Sequence, residues 1–169
     1  MHPEEYLDLV DKNDQVIDRK LRSEIYAEGL TNIRFVNVFL RNARGELWIP
    51  RRTTDKATFP LCLDFSAAGH VESGETYDET FVREVAEELR IDADTVPHKL
   101  LGYLTPAKDG VHQFMKVYEI ISDETPAYNP EDFVESYWLT PEDVVARITA
   151  GDSAKEDLPI LITRFYLAW

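Results

Sequence analysis

Cysteine is almost absent from this chain: Cys62 is the only one in 169 residues. A lone thiol closes no internal disulfide, so the fold must hold by packing alone, and a reducing cytoplasm is the expected compartment. Long hydrophobic runs are missing too. Stretches such as Phe35 to Leu40 and Ile160 to Ile162 fall far short of the roughly 18 apolar residues of a membrane span. The opening MHPEEYLDLVDK lacks the basic region and apolar stretch of a secretion signal, so no membrane partner is expected. Cations are scarce: 18 Lys and Arg face 32 Asp and Glu, a formal net charge of −14. Such a surface repels a phosphate backbone, which argues against nucleic acid as a partner, and an anionic ligand would need a cation to mediate. Repeats and low-complexity stretches are also lacking, so residues 1–169 read as one domain with 1–30 as a hairpin extension. What is present is a 44% apolar composition, and a domain near this length can remove roughly 70% of its unfolded surface from water.

Tyr6 to Val10 and Val16 to Arg19 flank the polar turn Asp11 to Gln15, which predicts a β-hairpin. That turn is not a calcium loop of the EF-hand kind: such a loop has Gly at its sixth position and Glu at its twelfth, where this chain has Val16 and Arg22. Ile33 to Leu40 and Glu46 to Pro50 form a second hairpin around Arg41 to Gly45. Thr53 to Pro60 reads as a loop, and Leu61 to Ala68 as a short buried strand ending at Gly69. From Ser73 the period changes: Tyr77, Phe81, Val82, Val85 and Leu89 recur at threes and fours, as on an amphipathic helix. Val111 to Ile121 and Phe133 to Leu139 are further strands. Thr140-Pro141 reads as an N-cap followed by Pro at the first helical position. The chain ends in a helix, Leu158 to Trp169, with Leu161, Ile162, Phe165 and Trp169 on one stripe. The expected class is α/β, a mixed sheet with helices on both faces.

The chemistry is concentrated between Gly69 and Ile91. On a helix, Glu84, Glu87 and Glu88 stand at i, i+3 and i+4 and share a face, with Arg83 as the only cation before Arg90. Like charges at that spacing repel. The face is either a solvated acidic surface or a cluster that recruits a hard divalent cation such as Mg²⁺ through oxygen ligands. Gly69, Glu75, Arg83, Glu84, Val85, Glu87, Glu88 and Ile91 fit the Nudix box at every one of those positions; only its second Gly is replaced, by Arg90. The chain therefore resembles a Nudix hydrolase. Outside the box, Arg51, Arg52 and Lys56 form a basic group that either contacts substrate phosphates or stays solvated at a sheet edge.

That resemblance implies an α/β/α sandwich and a metal-dependent pyrophosphohydrolase acting on a nucleoside di- or triphosphate, or another nucleoside diphosphate derivative, by water attack at phosphorus. By resemblance, Glu84, Glu87 and Glu88 hold Mg²⁺ or Mn²⁺, the Ala68 carbonyl completes the shell, and Glu75 with Arg83 braces loop against helix. Glu84 or Glu88 takes the water's proton, or else a later loop does so through Glu131, Asp132 or Glu135. A homodimer is implied too. The order Arg51-Arg52, Lys56, Phe59-Pro60, Asp64 and Gly69-His70 is also similar to the branch containing isopentenyl-diphosphate isomerases. The Cys of that pattern is here Ala68, Asn32 stands at one expected His position, and the second acid falls near Gln113. Alkene isomerisation needs an acid and a base on opposite faces, so hydrolysis is the expected activity. A non-catalytic nucleotide-sensing domain is the other alternative, and it typically loses the box carboxylates that this chain keeps. Phe35, Tyr103, Phe114 and Phe133 are either pocket or core, and His70 either a contact or a structural group.

Overall fold

The structure, a computed structural model, describes residues 4–168. The first hairpin is present as β1 (Tyr6–Val10) and antiparallel β2 (Val16–Leu21). Its turn is closed by Asp11 Oδ1, which accepts the N–H groups of Asn13 and Gln15 at 2.8 and 3.0 Å. This is the local competition for backbone donors that suits Asp to turns. A short helix, α1 (Arg22–Ala27), follows. Six further strands form the main sheet: β3 (Arg34–Arg41), β4 (Leu47–Arg52), β5 (Ala67–His70), β6 (His98–Leu104), β7 (Phe114–Ile121) and β8 (Phe133–Leu139).

Strand β3 is the axis. One edge pairs in parallel with β7 from Arg34 to Arg41. The other edge is shared: β5 takes Phe35 to Val38, while the partner recorded in β4 is Leu47 opposite Arg41. Beyond them the sheet continues to β6 on one side and β8 on the other. The period-2 alternation sorts side chains to two faces. Val36, Val38 and Leu40 pack with Tyr77, Phe81, Val85 and Leu89 of α2 (Tyr77–Leu89). Phe39, Leu47 and Ile49 face Val144, Leu158, Leu161 and Ile162 on the opposite side. That second layer combines α4 (Pro141–Thr149) and α5 (Asp157–Ile162), after a single turn α3 (Pro106–Asp109). Each fully buried Phe or Leu in these layers contributes about 1.5 to 3 kcal/mol. The mixed sheet with helices on both faces is thus present.

The start of α2 is set by a capping box: Thr76 Oγ1 accepts the Glu79 N–H, and Glu79 Oε1 accepts the Thr76 N–H. Its end is set by Arg90, which takes a left-handed conformation at φ 56. The missing Gly therefore moves no boundary; Arg90 adopts the conformation a glycine would take more cheaply.

Several expectations need correction. The strand foreseen over Leu61 to Ala68 begins only at Ala67 and includes Gly69, because Leu63 makes isolated bridges to Arg51 and Ala154. Val82 is exposed, off the buried stripe. The strand foreseen from Val111 starts at Phe114. Both β6 and α1 went unforeseen, since His98 to Leu104 and Arg22 to Ala27 carry no clean period. The terminal helix passes into a wider turn over Thr163–Leu167, and Trp169 lies outside the described residues.

Candidate active site

A cleft of about 710 Å³ opens where β3, β4, β5 and α2 meet. One wall is acidic. Glu84, Glu87 and Glu88 of α2 line it beside Ala68, Gly69 and His70 of β5. Glu84 and Glu88 are each 8% exposed. Glu88 Oε1 accepts the Ala68 N–H at 2.8 Å, and Glu84 Oε1 accepts Arg83 Nη1 at 2.8 Å. Burial pushes both carboxyls above their ordinary range. For Glu88 the charge of Glu84 adds to burial; for Glu84 the Arg83 cation opposes it. A Cβ at position 69 would overlap the Glu84 carboxylate, so only Gly lets that side chain lie against the strand.

Arg83 locks this wall to the preceding loop. Its Nε and Nη2 donate to the two oxygens of Glu75 at 2.8 and 2.9 Å, and Nη2 also reaches the His70 carbonyl at 3.2 Å. Glu75 further accepts the Glu72 N–H and the Thr80 hydroxyl. These bonds tie the loop to the helix. From outside, Asp8 of β1 accepts the Ser73 hydroxyl and the Gly74 N–H, so the hairpin grips the same loop.

The facing wall is basic. Arg52 donates through Nη1 to buried Asp64 at 2.8 Å and through Nε and Nη2 to the Thr58 carbonyl. Lys56 pairs with Asp132 at 2.7 Å. Both cations line the cleft, as does Lys155. Arg51 does not. It continues the Leu47 and Ile49 face of β4, and its guanidinium is taken up by Asp152 at 2.9 and 3.0 Å and Glu135 at 2.7 Å. The phosphate contact expected of Arg51 is thus replaced by a structural clamp.

Of the three later-loop acids, only Asp132 lines the cleft; Glu131 is exposed and Glu135 is held by Arg51. Phe35 and Gln113 line it as well. Phe133 and Phe114 are buried, the former in the α2-side core, and the Tyr103 hydroxyl donates to Asp14. Asn32 donates to the Val10 carbonyl. Cys62 lies outside the cleft lining, half-buried. His70 is buried, shares a 2.7 Å hydrogen bond with the Tyr26 hydroxyl and meets Phe35 edge-on. Burial, with Arg22, Lys155 and Arg83 nearby, lowers its pKa to about 3, so the ring is neutral. Sequence reasoning missed Arg22, Tyr26 and Lys155 because no spacing links them to the box.

Among the described residues, no three His, Cys, Asp or Glu side chains already converge as a metal-ligand set. Glu84 is turned to Arg83, Glu88 to Ala68, and the Glu87 side chain is 57% exposed. Ala68 lines the same wall and is joined to the acids through its N–H, which Glu88 accepts. The donor chemistry nonetheless fits a hard divalent cation: carboxylate oxygens, two of them buried with no more than one close cation, on one cleft wall.

Residues 31–159 match the NUDIX domain, leaving β1, β2 and α1 ahead of the match. The chain is 54% identical to an uncharacterized Nudix hydrolase of Nostoc sp. over 162 residues, 96% of each chain. It is 47% identical to a Nudix hydrolase of Deinococcus radiodurans over 163 residues, 96% of this chain and 95% of that one. The crystal structure of a Deinococcus radiodurans protein superposes with a TM-score of 0.92 at 46% identity, covering 96% of this chain and 99% of the other. The chain belongs to the Nudix hydrolase family, whose members generally cleave pyrophosphate linkages with divalent metal ions.

Proposed function

We propose that this Nudix hydrolase is a metal-dependent pyrophosphohydrolase that cleaves a nucleoside di- or triphosphate, or another nucleoside diphosphate derivative, by attack of water at phosphorus. One observation carries the reading: a single cleft sets a wall of buried glutamates against a wall of Arg and Lys. Glu84, Glu87 and Glu88 would hold Mg²⁺ or Mn²⁺, which supplies charge neutralisation and a lowered pKa for water. Glu88 or Glu84, on the same wall, would take the attacking water's proton. Glu75 and Arg83 hold the helix against its loop, while Arg52 and Lys56 bind phosphate oxygens and orient the anhydride. Ala68, at the isomerase Cys position, offers no proton-transferring side chain.

The test is a panel of nucleoside di- and triphosphates and nucleoside diphosphate derivatives, assayed with Mg²⁺ or Mn²⁺ in ¹⁸O-labelled water. The expected result is hydrolysis abolished by excess EDTA, with label in a phosphate product. Hydrolysis that persists in EDTA overturns the reading, and so does isomerisation of isopentenyl diphosphate without nucleotide hydrolysis.

A further inference from the structure

The basic wall contains a cation that neither the sequence nor the box accounts for. Lys155 sits in the segment between α4 and α5, and this segment is fastened to the loop after β4. The Leu63 N–H donates to the Ser153 carbonyl at 2.8 Å, and the Lys155 N–H to the Leu63 carbonyl at 3.0 Å. The anchoring places Lys155 Nζ 5.2 Å from the centre of the Phe35 ring and 5.7 Å from that of Phe65. The side chain is only 14% exposed, yet it lines the cleft. Asp64 Oδ1 stands 3.5 Å from Nζ, while Oδ1 also accepts the Phe65 N–H at 2.7 Å and Oδ2 accepts Arg52 at 2.8 Å.

One carboxylate therefore stands between two cations, and Asp157, which also lines the cleft, is the next acid whose charge reaches Lys155. Lys56 has a 2.7 Å partner in Asp132, and three of the hydrogen bonds of Arg52 go to Asp64 and Thr58. Among the described residues, the Lys155 ammonium has no hydrogen bond as short. A buried ammonium with donors to spare is costly unless something in the cleft accepts them. The aromatic faces steady the charge without using its N–H groups.

We propose that Lys155 is a substrate ligand of this hydrolase, donating to phosphate oxygens from the α4–α5 segment beside Arg52. The assignment rests on the diphosphate-cleaving function proposed above, but its test does not require turnover. Methylenediphosphonate, a diphosphate whose bridge resists hydrolysis, is titrated into wild type, Lys155→Met and Lys155→Arg by calorimetry with Mg²⁺ present. Met keeps the length and apolar packing against Phe35 and Phe65 but removes charge and donors; Arg restores both. Lys155→Met should weaken binding about five-fold or more, the equivalent of about 1 kcal/mol, and Lys155→Arg should recover most of it. The melting midpoints of both should stay within about 2 °C of wild type. A folded Lys155→Met with unchanged affinity overturns the proposal, as does a Lys155→Arg that binds no better than Lys155→Met. If wild type binds the probe and Lys155→Met does not, the assignment stands even where the nucleotide panel shows no turnover, so the two readings fail separately.

Discussion

The two walls of the cleft are built in different ways. The acidic wall comes from one continuous stretch, Gly69 to Ile91, whose helix and preceding loop are tied by Arg83 and Glu75. The basic wall is assembled from the end of β4, the loop after it and the α4–α5 segment, through buried Asp64 and Asp132. Two of the acids, Glu84 and Glu88, are buried close together, and each cation is set beside an acid. That arrangement suits the first wall to a charged metal and transition state, and the second to ground-state phosphate binding. Changes on the two walls should therefore fail in different ways.

The largest effect is expected on the acidic wall. Glu88→Gln keeps the shape and removes the charge, and kcat should fall about 10²-fold or more, the scale of a positioned acid–base group. The melting midpoint should not fall, since Gln keeps the side-chain oxygen that accepts the Ala68 N–H; wild-type turnover in this variant would break the comparison. On the basic wall, Arg52→Ala should raise KM several-fold, about 1 kcal/mol or more for a charge-assisted hydrogen bond, with kcat nearly unchanged. Its neighbour sharpens the point. Arg51→Ala should leave KM alone and cost about 1 kcal/mol of stability through the lost clamp to Asp152 and Glu135, seen as a lower midpoint in thermal melts. If Arg51→Ala raises KM as Arg52→Ala does, the division between the two faces of β4 is wrong.

The walls also differ in their response to pH. Glu84 and Glu88 have raised pKa values in the folded chain. Without metal, the folded state keeps protons that the unfolded state has released above the ordinary 4.5, so this contribution makes stability fall as pH rises. His70 acts in the opposite direction, but only below its unfolded value of 6.5, because burial depresses its folded pKa to about 3. The clean window therefore lies above that, from about pH 7 upward. The melting midpoint of chelated protein should drop across it, Glu88→Gln should flatten the drop, and Mg²⁺ should offset it. A chelated midpoint that rises over the same window would contradict the sign. The smallest effect is expected at the end of α2. Arg90→Gly relieves a left-handed conformation that costs an L-residue about 1 kcal/mol, so it should raise the midpoint by a few degrees and leave KM unchanged.

The same contrast explains what could be read from sequence. The Glu75 to Arg83 brace was implied only by the family resemblance, whereas the helix and its acidic face were legible because short-range period and spacing encode them. The two hairpins and the second helical layer were legible for the same reason. Strand β6 was not, since Gly102 and the register shift between Leu100 and Gly102 break its alternation. The basic wall was half legible: Arg52 and Lys56 were recognisable as a cluster. Only tertiary pairing shows that Arg51 turns to the other face and that Lys155 arrives from far along the chain.

The division of labour between the walls is tested most directly by steady-state kinetics of wild type, Glu88→Gln and Arg52→Ala on one nucleoside diphosphate across a range of Mg²⁺ concentrations. The expected result is a kcat loss confined to Glu88→Gln and a KM increase confined to Arg52→Ala. Equal losses of kcat in both variants, with KM unmoved in either, would contradict it.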